Sequence, residues 1–186
     1  MNEKKSPKKS KYFFRSAKEC AFVAVFVGTV IAAQLALAAL PSIELVSVLF
    51  ISYAFVMGIA RGTLAATAFS LLRQLIFGFY PTVLILYLVY YNLLSIGFGF
   101  LGQRLKNTKK NLPVLLLFSC IFTPFLTLLD CVITPLWYGY TERALRAYFF
   151  AALPVCFLQI ACVAVSVLLL FPPLSKTFAW AKRKLR

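Results

Sequence analysis

CAFVAVFVGTVIAAQLALAAL, residues 20–40, is an apolar run interrupted only by Thr29 and Gln34 and closed by Pro41 and Ser42. At about 1.5 Å of rise per residue, a helix of this length crosses the roughly 30 Å of hydrocarbon in a bilayer. Seven Lys and Arg precede Glu19, so the run could be taken for a secretory signal. It is longer than a typical signal core, its small residues continue throughout, and further apolar runs follow; it reads as a membrane helix.

Outward from this stretch, the same reading repeats along the chain. Turn signals divide it into six apolar segments, 20–40, 43–60, 62–77, 81–101, 112–136 and 148–171, which take up two-thirds of its length. Pro41-Ser42 separates the first two, Arg61-Gly62 the second from the third, and Phe77-Gly78-Phe79-Tyr80-Pro81 the third from the fourth. The third segment is short and carries Arg73. The expected fold is all-α, a polytopic bundle of six transmembrane helices forming one domain over 20–171, flanked by basic tails at 1–19 and 172–186.

Composition agrees. Of 186 residues, 62% are hydrophobic and 13% charged, and mean hydropathy is +0.87. A soluble domain is about 45–50% apolar and about a quarter charged, so lipid is the expected solvent. The net charge of +15 could suggest nucleic acid, but the 20 basic residues sit in tails and loops around apolar runs. They read as topology signals and contacts to anionic lipid, with no nucleic-acid partner. With the N-terminus inside, 17 of them fall on the cytoplasmic side, Arg143 and Arg146 lie outside, and Arg73 lies within a span. That asymmetry predicts a multi-pass protein of the cell membrane with both termini cytoplasmic.

Orientation gives depth to the few polar residues. Glu44 opens the second helix at its outer end, and Gln34, Arg73 and Asp130 each fall within roughly 6–9 Å of the outer end of their spans. Gln74 neighbours Arg73. Tyr80, Tyr87, Tyr90, Tyr91 and Asn92 line the fourth helix or its entrance, and the outer loop adds Trp137, Tyr138, Tyr140 and Glu142. An ionisable side chain in a span costs several kcal/mol unless paired or hydrated, so such residues mark a cavity or pathway.

Each also has a structural reading. Glu44 could complement a helix dipole, Arg73 and Asp130 could form an ion pair, and Trp137 and Tyr138 could belong to an interfacial belt. Asn92 and Gln159 could bridge helices. The convergence of several groups at one level favours a binding site over any single residue, with Gln34, Glu44, Arg73, Gln74, Tyr80, Tyr91, Asn92, Asp130, Trp137, Tyr140 and Glu142 as candidate substrate contacts.

The first helix carries a second pattern: Ala24, Gly28, Ala32 and Ala36 recur every four residues on one face. Small residues at this spacing let another helix approach closely. Internal packing is one reading; docking to another membrane protein is the other.

Several chemistries are disfavoured. The chain has no histidine, which removes Ser-His and Cys-His catalysis and His-based zinc sites. The five cysteines show no Cys-x-x-Cys spacing and sit in apolar segments. Gly97 and Gly102 have the spacing of a phosphate-binding loop, but Gln103-Arg104 replaces the Lys-Ser/Thr that would hold phosphate and magnesium. No catalytic residue, metal site or cofactor is expected, and an enzyme is disfavoured.

The sequence resembles the substrate-binding S components of energy-coupling factor (ECF) transporters over roughly residues 17–175. The likeness rests on the small-residue first helix running into Leu40-Pro41-Ser42-Ile43-Glu44-Leu45-Val46-Ser47, on the Phe77-Gly78-Phe79-Tyr80 turn, and on the last helix ending Leu170-Phe171-Pro172-Pro173-Leu174. The resemblance implies capture of a vitamin or similar micronutrient from outside, with residues 41–44, 78–81 and 137–146 closing the pocket. It implies that Ala24-x-x-x-Gly28-x-x-x-Ala32 contacts a transmembrane coupling subunit, and that two ATPase subunits supply the energy. Two other readings stand beside it. One is a self-contained secondary transporter or channel with Glu44, Asp130 and Arg73 as an ion path; the other is a scaffold that uses the first-helix face as glue.

Overall fold

Gly58 takes a φ of +95°, a backbone conformation that residues with a Cβ rarely adopt, and there the second apolar run breaks. It is one of the joints of a helical structure seen in a computed structural model that describes residues 17–38, 45–105 and 111–185. Among those residues the chain forms six helices and no strand: α1 (Ala17–Ala36), α2 (Leu45–Met57), α3 (Ile59–Phe77), α4 (Pro81–Arg104), α5 (Leu112–Tyr138) and α6 (Glu142–Lys184). Four of them, α1, α4, α5 and α6, are long and apolar enough to cross a membrane.

The surface supports the same setting. Leu75, Phe79, Leu136, Phe150, Phe157 and Leu169 are among many large apolar side chains that stand exposed. Such a surface fits a hydrocarbon solvent far better than water.

Two boundaries differ from the sequence reading. The break between the second and third segments falls at Gly58 rather than at Arg61-Gly62, so α3 begins at Ile59. Arg61 stays in its first turn because its guanidinium pairs with the buried Glu19 carboxylate of α1 at 2.7 Å. The last helix continues through Pro172 and Pro173 to Lys184. Proline removes the N–H that would bond the carbonyl four residues earlier without always ending a helix, and here the Ser175 and Thr177 hydroxyls donate to the Pro172 and Pro173 carbonyls in the turn that follows. Phe178 is then buried against Phe26 and Tyr53, and Lys182 donates to the Val56 carbonyl near the end of α2. Residues 172–184 therefore continue α6 as helix packed on the bundle.

The centre of the bundle is α2, with ten of its 13 residues buried. It packs against α1, α3, α4 and α6. A helix that is apolar on every side suits that place. Its aromatic rings mesh with those of its neighbours: Tyr53 stacks on Phe26 at 3.9 Å between ring centres, and Phe50 meets Tyr91 at 4.8 Å and Phe69 at 5.3 Å.

Backbone contact locks α4 to the α2–α3 joint. A Cβ on Gly102 would lie 2.0 Å from the Phe55 carbonyl oxygen, and one on Gly99 would lie 2.8 Å from the Ile59 backbone nitrogen. The glycines near the end of α4 thus serve close helix packing, the main source of helix association when no hydrophobic drive operates between helices.

By contrast, α5 and α6 form a pair that joins the rest unevenly. Every buried residue of α6 lies at Val163 or beyond, and its first half is largely exposed. At the end of the bundle marked by the Gly78 and Gly139 turns, the pair stands away from α3 and α4. Gly102→Ala is expected to lower the thermal unfolding midpoint of the purified protein by several degrees, an over-packing cost of about 1–3 kcal/mol. Gly28→Ala, where a Cβ meets nothing within 4 Å, is expected to leave it unchanged. Equal midpoints for the two variants would contradict the close approach at Gly102.

Candidate functional site

The space left between the α3–α4 and α5–α6 pairs at the Gly78 end is a cavity of about 460 Å³. It is lined by Arg73 from α3, Val83, Leu86 and Tyr87 from α4, Leu126, Thr127 and Asp130 from α5, and Tyr148, Ala151, Ala152, Val155 and Gln159 from α6. On α4, α5 and α6 these positions recur at three- and four-residue spacing, so each of the three contributes one face, and α3 contributes Arg73 alone. The volume falls in the range of about 300–1,000 Å³ typical of small-molecule sites, and the lining is mostly apolar with a few polar groups.

Arg73 is fixed from three sides. Its Nε donates to Gln34 Oε1 of α1 at 3.2 Å, and its guanidinium carbon lies 4.7 Å from the Phe77 ring centre and 4.6 Å from that of Tyr87. Gln34 Nε2 in turn donates to the Tyr87 hydroxyl at 3.2 Å. Cation–π contact of this kind contributes about 0.5–2 kcal/mol and holds the planar group by its faces. One guanidinium nitrogen, Nη1, is buried with no hydrogen-bond partner. A buried donor left unmet costs about 1–3 kcal/mol, a cost shared by Ser52, Tyr53, Gln74 and Ser95 elsewhere in the bundle.

Asp130 has its own partners. Thr134, one turn further along α5, donates its hydroxyl to Oδ1 at 2.7 Å, and the Tyr148 hydroxyl donates to Oδ2 at 2.5 Å. The ion pair between Arg73 and Asp130, one of the two sequence readings, does not form. Ion pairs form instead between Arg61 and Glu19 and between the exposed Arg146 and Glu142. The two charges face one cavity while held by different neighbours. Thr127 donates to Gln159 Oε1 at 3.1 Å across the α5–α6 seam on the same lining.

Of the expected contacts, Arg73 and Asp130 line this cavity, and Gln34 bonds Arg73 from α1 without being part of the lining. Others lie elsewhere. Gln74 is buried and accepts the Tyr80 backbone N–H at 3.1 Å, so it pins the α3–α4 turn. Tyr80 itself is exposed at the start of α4. Tyr91 is buried in the aromatic core between Phe50, Phe69, Tyr87 and Tyr90. Asn92 accepts from Thr67 at 3.3 Å and donates to the Leu88 carbonyl, bridging α3 and α4.

Trp137 is exposed at the end of α5, and Tyr140 lines a separate surface depression beside the α5–α6 turn. Glu142 is exposed and faces Arg146 at 3.8 Å. Glu44, with Pro41, Ser42 and Ile43, lies outside the described residues. Tyr87 and Gln159, singled out in the sequence but not counted among the candidate contacts, also line the cavity, as do Thr127 and Tyr148, which were not singled out. For Tyr148 and Gln159 the signal was available: with Ala152 and Val155 they recur along one face of the last helix.

The placements make a stability test. Tyr91→Ala empties a packed core position and is expected to cost about 3–5 kcal/mol, a large fall in unfolding midpoint. Arg73→Met keeps apolar contact with Phe77 and Tyr87 while removing a partly unmet charge, and is expected to leave the midpoint within about 2 °C of the wild type. A comparable fall for both would show Arg73 to be a structural residue. Set beside known proteins, the chain matches no family model, no curated protein and no solved structure.

Proposed function

We propose that the protein is a multi-pass cell-membrane subunit that captures a small, water-soluble nutrient from outside, as the S component of an ECF-type importer. The observation that carries this reading is the cavity itself, lined by Arg73, whose buried Nη1 has no partner, on one side and by Asp130 on another. A charged group retained at such a site is costly without a ligand and selective with one. Under the Lys and Arg asymmetry of the sequence, the Gly78 end faces outward and the Arg61 end faces the cytoplasm.

A second feature supports assembly with partners. Ala24, Gly28, Ala32 and Ala36 are all exposed along α1, which packs on α2 and α3 with its other face. In this reading the small face receives a transmembrane coupling subunit, two ATPase subunits power release, and the chain itself performs no chemistry on its ligand.

Native mass spectrometry of the protein purified from its own membrane is expected to find a vitamin-sized molecule bound. Arg73→Ala should abolish retention while the circular dichroism spectrum and unfolding midpoint stay near those of the wild type. Co-purification with a coupling protein and ATPases should be lost on Gly28→Leu, with ligand retention intact. Uptake driven by a proton gradient into liposomes holding this chain alone would contradict the proposal.

A further inference from the structure

Opposite charges attract, yet Arg73 and Asp130 line one cavity with no ion pair between them. They are instead held by separate sets of neighbours. Phe77 and Tyr87 cover the guanidinium faces and Gln34 takes Nε, leaving Nη1 with no acceptor. Each Asp130 oxygen receives one hydroxyl, and a carboxylate accepts about four hydrogen bonds in all, so acceptor capacity remains. Most of the remaining lining, including Val83, Leu86, Leu126 and Val155, is apolar.

Resting on the capture reading above, we propose that the ligand is amphoteric: a carboxylate that meets Arg73, a protonated nitrogen that meets Asp130, and an apolar body between them. A simple anion would bring its charge into a cavity shared with the Asp130 carboxylate, and a simple cation would do the same against Arg73. The site therefore rejects singly charged molecules by repulsion as well as selecting doubly charged ones by attraction.

The test uses the full chain in nanodiscs of phosphatidylcholine and phosphatidylglycerol. The probes are leucine, phenylalanine and tryptophan, with adjacent charges, and 6-aminohexanoate and 4-(aminomethyl)benzoate, with separated charges. Each is compared with its methyl ester, which keeps only the cation, and its N-acetyl derivative, which keeps only the anion. At least one free probe is expected to bind saturably and about tenfold or more tightly than both of its derivatives. Asp130→Asn should narrow the gap for the N-acetyl form, and Arg73→Gln for the methyl ester. Opposite shifts of this kind cannot arise from partial unfolding.

Derivatives that bind as well as the free probe would overturn the inference. So would a molecule retained from the native membrane that carries one charge or none, although capture itself would then stand. Failure to bind or retain any small molecule would overturn both.

Discussion

The approach of α4 to the α2–α3 joint is the constraint on which the rest of the structure depends. Between apolar helices in a hydrocarbon solvent, burial supplies little preference for one partner over another, and close van der Waals contact decides which helices associate. Gly102 lies against the Phe55 carbonyl, Gly99 against Ile59, and Gly62 against Ala54 and Ser95, distances that no larger side chain would allow without displacement. The contact fixes α2 at the centre and holds α3 and α4 in register. That register brings Tyr87 of α4 over the guanidinium of Arg73 on α3. It leaves α5 and the first half of α6 without comparable contacts, and the unequal packing opens the cavity at one end.

The charged groups divide between two tasks. Glu19 and Arg61 form a tight pair, and Lys182 donates to the Val56 carbonyl, so near the Gly58 joint polar groups satisfy one another and tie α1, α2, α3 and α6 together. At the other end Arg73 and Asp130 are positioned without being matched. A buried pair gains little net stability over apolar replacements, whereas charges held in place and left incomplete bind a complementary molecule without reorganising. Both arrangements use the same residue types, and only the geometry separates structure from function.

Much of this was legible in the sequence. Counting turns from the ends of apolar runs put Gln34, Arg73 and Asp130 at one level; in the structure Gln34 bonds Arg73, and Arg73 and Asp130 line one cavity. Other features depended on contacts distant in the chain. The helix break moved to Gly58 because Arg61 finds its partner at Glu19, 42 residues earlier. Pro172-Pro173 looked like a helix end, yet contacts of Phe178 and Lys182 with α1 and α2 sustain the helix beyond it. Tyr91 and Tyr87 are four residues apart and share a ring contact at 5.2 Å, but one lies in the core and the other lines the cavity. Within an apolar helix no polar stripe marks the inward face, so spacing alone could not separate the two.

The most direct measurement is an experimental structure of the protein purified from its native membrane without added ligand exchange. Density for a small molecule lying between Arg73 and Asp130, within hydrogen-bonding distance of Nη1 and of the carboxylate, is the expected result. A closed cavity with the Arg73 guanidinium bonded directly to Asp130 would contradict it, reducing both residues to a structural ion pair.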